Sequence, residues 1–161
     1  MNHTVYIALG TNLGDRLENL RAALDALAPK VHILAKSAIY ETPPWGVTDQ
    51  PAFLNMVVKA ASALEPGGLL DFLKALETGL GRVPSFRNGP RLIDLDILFF
   101  DDLVVDTAPL VIPHPRLHER AFVLVPLADV APELVHPLLG VSVARLLETV
   151  DRRGVEIFRA G

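Results

Sequence analysis

The sequence predicts an α+β fold in which helices cover one antiparallel sheet. Three observations lead there. Strand-like runs and two segments of helical period follow one another as βαββαβ, with further elements toward the C-terminus. The chain has 161 residues, which suits a single domain over 1–161 that buries about two-thirds of its unfolded surface. Half the residues are hydrophobic and 21% are charged, with no internal repeat or low-complexity tract, so the class is globular.

Each element has a local reason. Val5 to Leu9 is an apolar run of strand length, and Gly10-Thr11-Asn12-Leu13-Gly14 is a turn into a helix capped near Asp15. Leu17, Leu20, Ala23, Leu24 and Leu27 recur at helical spacing, and Pro29 lies beyond the end. Val31 to Tyr40 reads as a second strand. Residues 41–51 form a long loop with Pro43 and Pro44 at its entry and Trp45 beside Gly46. Phe53 to Ala61 is a third strand, with Phe53, Asn55 and Val57 on one face and Leu54, Met56 and Val58 on the other.

Pro66 suits the first turn of a helix that carries Leu69, Leu70, Leu73, Leu76 and Leu80 and stops at Gly81. An acidic strand follows, and Asp101-Asp102 turns it into Leu103-Val104-Val105-Asp106, predicting that the acidic strand is one arm of a hairpin. Pro113-His114-Pro115 precedes a helical segment from about Arg116 that includes Arg120 and Phe122. Ser142 caps a last helix to about Val150, and Val155 to Phe158 is a final strand. The whole reads as a ferredoxin-like βαββαβ core with C-terminal additions, an α/β/α sandwich.

The acidic strand carries the chemistry. Asp94 and Asp96 share one face while Ile93, Leu95 and Ile97 share the other. At a rise of about 3.3 Å per residue the two carboxylates stand roughly 6–7 Å apart. Their repulsion is about 2–3 kcal/mol at an effective dielectric of about 20, so they require water or a cation. Carboxylates without His or Cys select a hard ion, of which Mg²⁺ shared with substrate phosphates is the usual form. An exposed edge strand is the plain alternative, but Ile97-Leu98-Phe99-Phe100 is too apolar for one.

Residues 81–91 add Arg82, Arg87 and Arg91 with no acid among them, and Arg forks match phosphate oxygens. No Gly-x-x-x-x-Gly-Lys-Ser/Thr stretch occurs, so arginines and metal must supply the phosphate cradle. Asn55 reads either as a satisfied core amide or, with Phe53 and Trp45, as part of a wall for a planar heterocycle. His114 and His118 stand four apart, but Pro115 lies between them and no third ligand is evident, so zinc is disfavoured against a phosphate or ribose contact from His114.

A net charge of −4 argues against nucleic acid as a partner. No apolar run reaches membrane-spanning length. The absence of cysteine excludes disulfides, and the start of the chain lacks a leader pattern, so a cytoplasmic protein is expected.

The ordered stretches Tyr6 to Gly14, Tyr40 to Pro44, Asp49 to Asn55, Arg87-Asn88-Gly89-Pro90-Arg91-Leu92-Ile93-Asp94-Leu95-Asp96-Ile97-Leu98 and Pro113-His114-Pro115-Arg116 resemble the 6-hydroxymethyl-7,8-dihydropterin pyrophosphokinases of folate biosynthesis. The resemblance covers nearly the whole chain. It implies transfer of the β,γ-pyrophosphoryl group of ATP to the hydroxymethyl oxygen of a reduced pterin, leaving AMP. Carried over by position, it implies that Asp94 and Asp96 hold two Mg²⁺ ions and that Arg82 and Arg91 steady charge on the moving group; removal of the hydroxyl proton falls to Asp96 or to a metal-bound water. It implies a pterin pocket of Thr42, Pro43, Trp45, Phe53, Asn55 and Phe122, with Phe53 and Phe122 sandwiching the ring. Lys74, Glu77, Arg82, Arg87, Arg91, Ile97, His114, Arg116 and Arg120 are implied along the ATP site, and association with other folate-pathway enzymes stays open. Departures are a loop one residue shorter than in some members, Pro84 where some carry arginine, Asn88 in place of an aromatic residue, and Lys74 in place of glutamine. A non-catalytic βαββαβ binding module and a Mg²⁺-dependent phosphohydrolase are the rivals, and product identity separates the three.

Overall fold

The sheet is built outward from its first strand. The computed structural model describes residues 2–43, 51–80 and 92–159. In chain order the elements are β1 (His3–Thr11), α1 (Arg16–Leu27), β2 (Val31–Lys36), β3 (Tyr40–Thr42), β4 (Phe53–Ser62), α2 (Pro66–Gly79), β5 (Asp94–Phe100), β6 (Val105–Asp106), β7 (Val111–Ile112), a 3-10 turn at Leu117–Glu119, α3 (Ala121–Val130), α4 (Val143–Leu147) and β8 (Glu156–Ile157). The main sheet runs β5-β1-β4-β3-β8, with β2 also paired to β4. Every pairing in it is antiparallel. With β2 and β3 counted as one interrupted strand, this is the ferredoxin-like order.

Period-two alternation gives the sheet two apolar faces. Val5, Ile7, Leu9, Leu54, Met56, Val58, Leu95 and Ile97 pack with Leu20, Ala23 and Leu27 of α1 and Leu69 and Leu73 of α2. Tyr6, Val57, Leu98 and Phe99 pack with Val123, Leu124 and Leu127 of α3 and Val143 and Leu146 of α4. The result is the expected α/β/α sandwich. Asp15 caps α1 by accepting from Glu18 N at 3.1 Å, and Ser142 caps α4 by accepting from Arg145 N at 3.2 Å.

Three elements differ from the sequence expectation. The run 31–40 breaks into β2 and β3 because Ser37 replaces a ladder bond with its side chain: Val57 N donates to Ser37 Oγ at 2.9 Å, and Ser37 Oγ donates to Ala38 O at 2.7 Å. The acidic strand is not one arm of a hairpin with 103–106, since β6 pairs with β7 in a separate small sheet. The Asp101 carboxylate turns back instead, accepting from Thr4 N at 2.8 Å and lying 2.7 Å from His3 Nδ1. The last helix ends at Leu147 rather than near Val150.

Among the described residues β5 pairs on one side only, with β1, and so stands at the edge of the sheet. Its apolar residues are covered nevertheless: His114 N donates to Leu98 O at 3.0 Å, laying the chain after β7 along the edge. A register shift sets Tyr6 opposite Phe99 but Ile7 opposite Ile97, so Leu98 and Phe99 both enter the core beneath α3. Among the described residues no helix is long and apolar enough to cross a membrane.

Asn19 ties this frame together. Its Nδ2 reaches Thr11 Oγ1 at 3.1 Å, Leu13 O at 2.7 Å and Leu92 O at 3.3 Å. Asn19→Ala is expected to lower unfolding free energy by about 1–3 kcal/mol in urea denaturation, because these acceptors lose a shared donor inside the fold. A loss below a few tenths would show that water replaces the amide.

Candidate active site

Two clefts meet at the start of β5. The first is lined by Thr42 and Pro43 from the end of β3, Phe53 and Asn55 from β4, and Arg120, Phe122 and Val123 at the start of α3. The second lies beside α2 and includes Lys74, Glu77, Ile97, Leu110 and Pro115. Asp94, Asp96 and His114 line both. A ligand in either cleft faces the same two carboxylates.

The sheet register explains this placement. Gly10 in β1 is opposite Asn55 on one side and Asp94 on the other. A Cβ at Gly10 would stand 3.0 Å from Asn55 Oδ1, so only glycine leaves the amide where it is. Asn55 is buried and donates from Nδ2 to Thr42 Oγ1 at 2.9 Å, which joins β4 to β3 across the cleft floor. Asn55 is thus a partnered amide that also lines the cleft.

Asp94 is half-buried and Asp96 exposed, while Leu95 and Ile97 between and beyond them enter the core. Glu77 is buried on α2, and its carboxylate accepts from Leu95 N at 2.8 Å. That bond grips Leu95, the one residue between the two aspartates. Glu77 thus lines the second cleft and positions the acidic strand.

His114 is held neutral. Burial is the main cause, with Arg120 and Arg116 adding to it, and its pKa falls from the ordinary 6.5 to about 4. Arg116 N donates to His114 Nδ1 at 3.3 Å, so the ring proton belongs on Nε2, and the histidine serves as a hydrogen-bond donor there. Arg120 lines the first cleft, with its guanidinium carbon 5.6 Å from the Phe122 ring centroid.

Of the residues expected from the sequence, Thr42, Pro43, Phe53, Asn55, Phe122 and Arg120 gather in the first cleft. Lys74, Glu77 and Ile97 gather in the second, and Asp94, Asp96 and His114 stand between. Arg116 is exposed and lines neither. Trp45, Arg82, Arg87 and Arg91 lie outside the described residues. Sequence reasoning missed Gly10, although a glycine inside a strand pattern signals close approach of another group. It also missed Leu110 and Val111, which carry no chemical signal.

Whether the donor set suits a hard cation can be judged from the carboxylates themselves. Among the described residues no third His, Cys, Asp or Glu joins them to close a metal cage. Two oxygen-donor side chains with the remaining positions open fit an ion that arrives with phosphate oxygens.

The profile of the 7,8-dihydro-6-hydroxymethylpterin-pyrophosphokinase family matches residues 6–132. The chain is 46% identical over 153 residues to the 2-amino-4-hydroxy-6-hydroxymethyldihydropteridine pyrophosphokinase of Methylorubrum extorquens, covering 94% of this chain and 96% of that one. Its counterpart in Bacillus subtilis is 46% identical over 161 residues, with 99% and 92% covered. A folic acid synthesis protein of Dictyostelium discoideum is 42% identical over 145 residues, 90% of this chain, which spans only 22% of that longer protein. Among solved structures, wild-type Plasmodium falciparum HPPK-DHPS superposes with a TM-score of 0.76 at 18% identity, over 92% of this chain and 43% of that one, a likeness of fold. These matches place the chain among enzymes that transfer pyrophosphate from ATP. The chain is a member of the 7,8-dihydro-6-hydroxymethylpterin-pyrophosphokinase family.

Gly10→Ala is expected to lower unfolding free energy by about 1–3 kcal/mol in urea denaturation, since the added methyl displaces the buried Asn55 amide. An unchanged midpoint would show that the amide shifts without cost. His114 yields a pH expectation of definite sign. An unfolded histidine titrates near 6.5 and the folded one near 4, so its contribution is present above 6.5 and lost as pH falls toward 4. Thermal unfolding between pH 7 and 4 should be flatter in His114→Gln, and an identical slope would contradict the buried neutral ring.

Proposed function

We propose that Asp94 and Asp96 hold the metal-bound triphosphate of ATP where the two clefts join, with the pterin in the first cleft and the nucleotide in the second. The chain transfers pyrophosphate from ATP to the hydroxymethyl group of 6-hydroxymethyl-7,8-dihydropterin in folate synthesis, leaving AMP and the pterin diphosphate. The observation that carries the spatial reading is the sharing of Asp94, Asp96 and His114 by both clefts. A bisubstrate transfer needs such a junction, because its rate comes from bringing the acceptor oxygen in line with the phosphorus it attacks.

The pterin ring lies between Phe53 and Phe122 beside Pro43, with Trp45 a further residue for pterin binding, and Asn55 and Thr42 recognise its polar edge. Asn55 Oδ1 accepts from ring N–H groups, while one of its two Nδ2 hydrogens is given to Thr42. Lys74 and Arg87 neutralise phosphate charge, Arg116 reaches in from the exposed position next to Pro115 at the rim of the second cleft, Ile97 supplies apolar contact to the base, and Glu77 holds the acidic strand in place for them. His114 donates from Nε2 to a phosphate oxygen, a role that its neutral form retains throughout the physiological range. Arg120 stands across Phe122 at the first cleft and reaches the phosphates from there. Arg82 and Arg91 steady charge on the moving group. Asp96, the exposed member of the pair, accepts the hydroxyl proton as the oxygen attacks.

Two Mg²⁺ ions, held by Asp94 and Asp96, neutralise triphosphate charge and polarise the transferred group when bound. A cytoplasmic setting with ready ATP suits this reading. Relatives named folic acid synthesis proteins extend far beyond the region matched here, which supports association with further folate-synthesis enzymes.

The test follows AMP and ADP separately with ATP and Mg²⁺, with and without 6-hydroxymethyl-7,8-dihydropterin. AMP that forms only with pterin is expected. ADP and phosphate regardless of pterin would replace the transferase reading by a hydrolase. Asp94→Ala and Asp96→Ala should each lower kcat by at least about a hundred-fold with little change in Tm, as expected when charge-stabilising groups are removed from a cleft outside the hydrophobic core.

A further inference from the structure

The C-terminal region beyond residue 132 lies outside the family match, yet it returns to the first cleft. β8 pairs with β3, Tyr40 opposite Ile157 and Glu41 opposite Glu156, and Phe158 N donates to Ile39 O at 2.8 Å. Arg16 fastens the same edge, donating to Glu41 Oε2 at 2.6 Å and to Ala52 O at 2.9 Å, with its guanidinium carbon 5.6 Å from the Phe158 ring centroid. β3 ends at Thr42, and Pro43 follows, both in the cleft wall. The strand that carries the wall is thus gripped from its outer side.

The turn that leads into β8 is bonded within itself. Arg153 Nε and Nη2 donate to the Asp151 carboxylate at 3.0 and 2.6 Å, Arg153 N donates to Asp151 Oδ1 at 3.0 Å, and Val155 N donates to Arg152 O at 3.1 Å. At its tip Gly154 has φ +86°, and a Cβ there would stand 3.2 Å from both Cδ and Cγ of Pro43. The turn therefore meets the proline ring at closest approach, which a side chain at position 154 would prevent.

We propose that the segment 151–158 is a positioning element of the pterin pocket, in which the Asp151–Arg153 turn sets the bare Gly154 against Pro43 and so fixes the wall beside the heterocycle. The assignment rests on the first cleft being the pterin site. Gly154 touches no substrate and acts through Pro43. Its effect falls on pterin affinity and spares the nucleotide, whose cleft lies on the far side of the acidic pair.

Gly140 supplies an internal control, since it has φ +71° but open space around its Cα. Alanine at either position incurs backbone strain, but only at 154 does it meet Pro43. Steady-state kinetics of the full chain, varying pterin and ATP in turn, decide the matter. Gly154→Ala is expected to raise the pterin KM about five- to ten-fold with kcat and the ATP KM within about two-fold, while Gly140→Ala leaves both KM values unchanged. Asp151→Ala, which adds no bulk and loosens the turn, is expected to raise the pterin KM about two- to three-fold. Unchanged pterin KM in both Gly154→Ala and Asp151→Ala, or the same rise in Gly140→Ala, overturns the proposal. If the wild-type chain forms no pterin-dependent AMP, the reading of the cleft fails instead, and the two failures are distinct.

Discussion

Register across β1 governs the site. Because neighbouring strands are locked by their ladders, Gly10 has Asn55 on one flank and Asp94 on the other, and no loop motion is needed to bring them together. A slip of one residue would turn Asp94 and Asp96 into the core and Leu95 and Ile97 out of it. The hydrophobic packing under α1 and α2 thereby specifies the position of the carboxylates. Stability and chemistry rest on the same alternation.

The edge position of β5 follows from the same requirement. A central strand would have both sides occupied by ladder partners, whereas β5, paired only with β1 among the described residues, lines the second cleft with Asp94 and meets His114 N near Leu98. The register shift beside Leu98 belongs to this arrangement, since it sends Leu98 and Phe99 together beneath α3 while the preceding residues keep strict alternation. His114 then has two tasks, its backbone covering the edge and its neutral ring facing the junction.

Much of this was legible in the residues. Asp94 and Asp96 on one face, the two amphipathic helices and the Asp15 and Ser142 caps follow from spacing and side-chain type alone. The break at Ser37 was not, because its cause is a bond to Val57 that no local pattern announces. The hairpin expectation failed because Asp101 spends its carboxylate on Thr4 and His3, nearly a hundred residues away. Site residues with charge or aromatic character could be found from the sequence, while the Gly154 contact with Pro43 depends on tertiary approach.

The central claim is that the acidic pair joins the clefts through a metal-bound nucleotide. Its most direct measurement is electron paramagnetic resonance of Mn²⁺ titrated into the full chain with a non-hydrolysable ATP analogue, comparing wild type with Asp94→Asn/Asp96→Asn and following pterin binding separately by fluorescence. The account predicts nucleotide-dependent Mn²⁺ binding that is lost in the double variant while pterin still binds. Mn²⁺ and nucleotide binding of wild-type strength in that variant would contradict it.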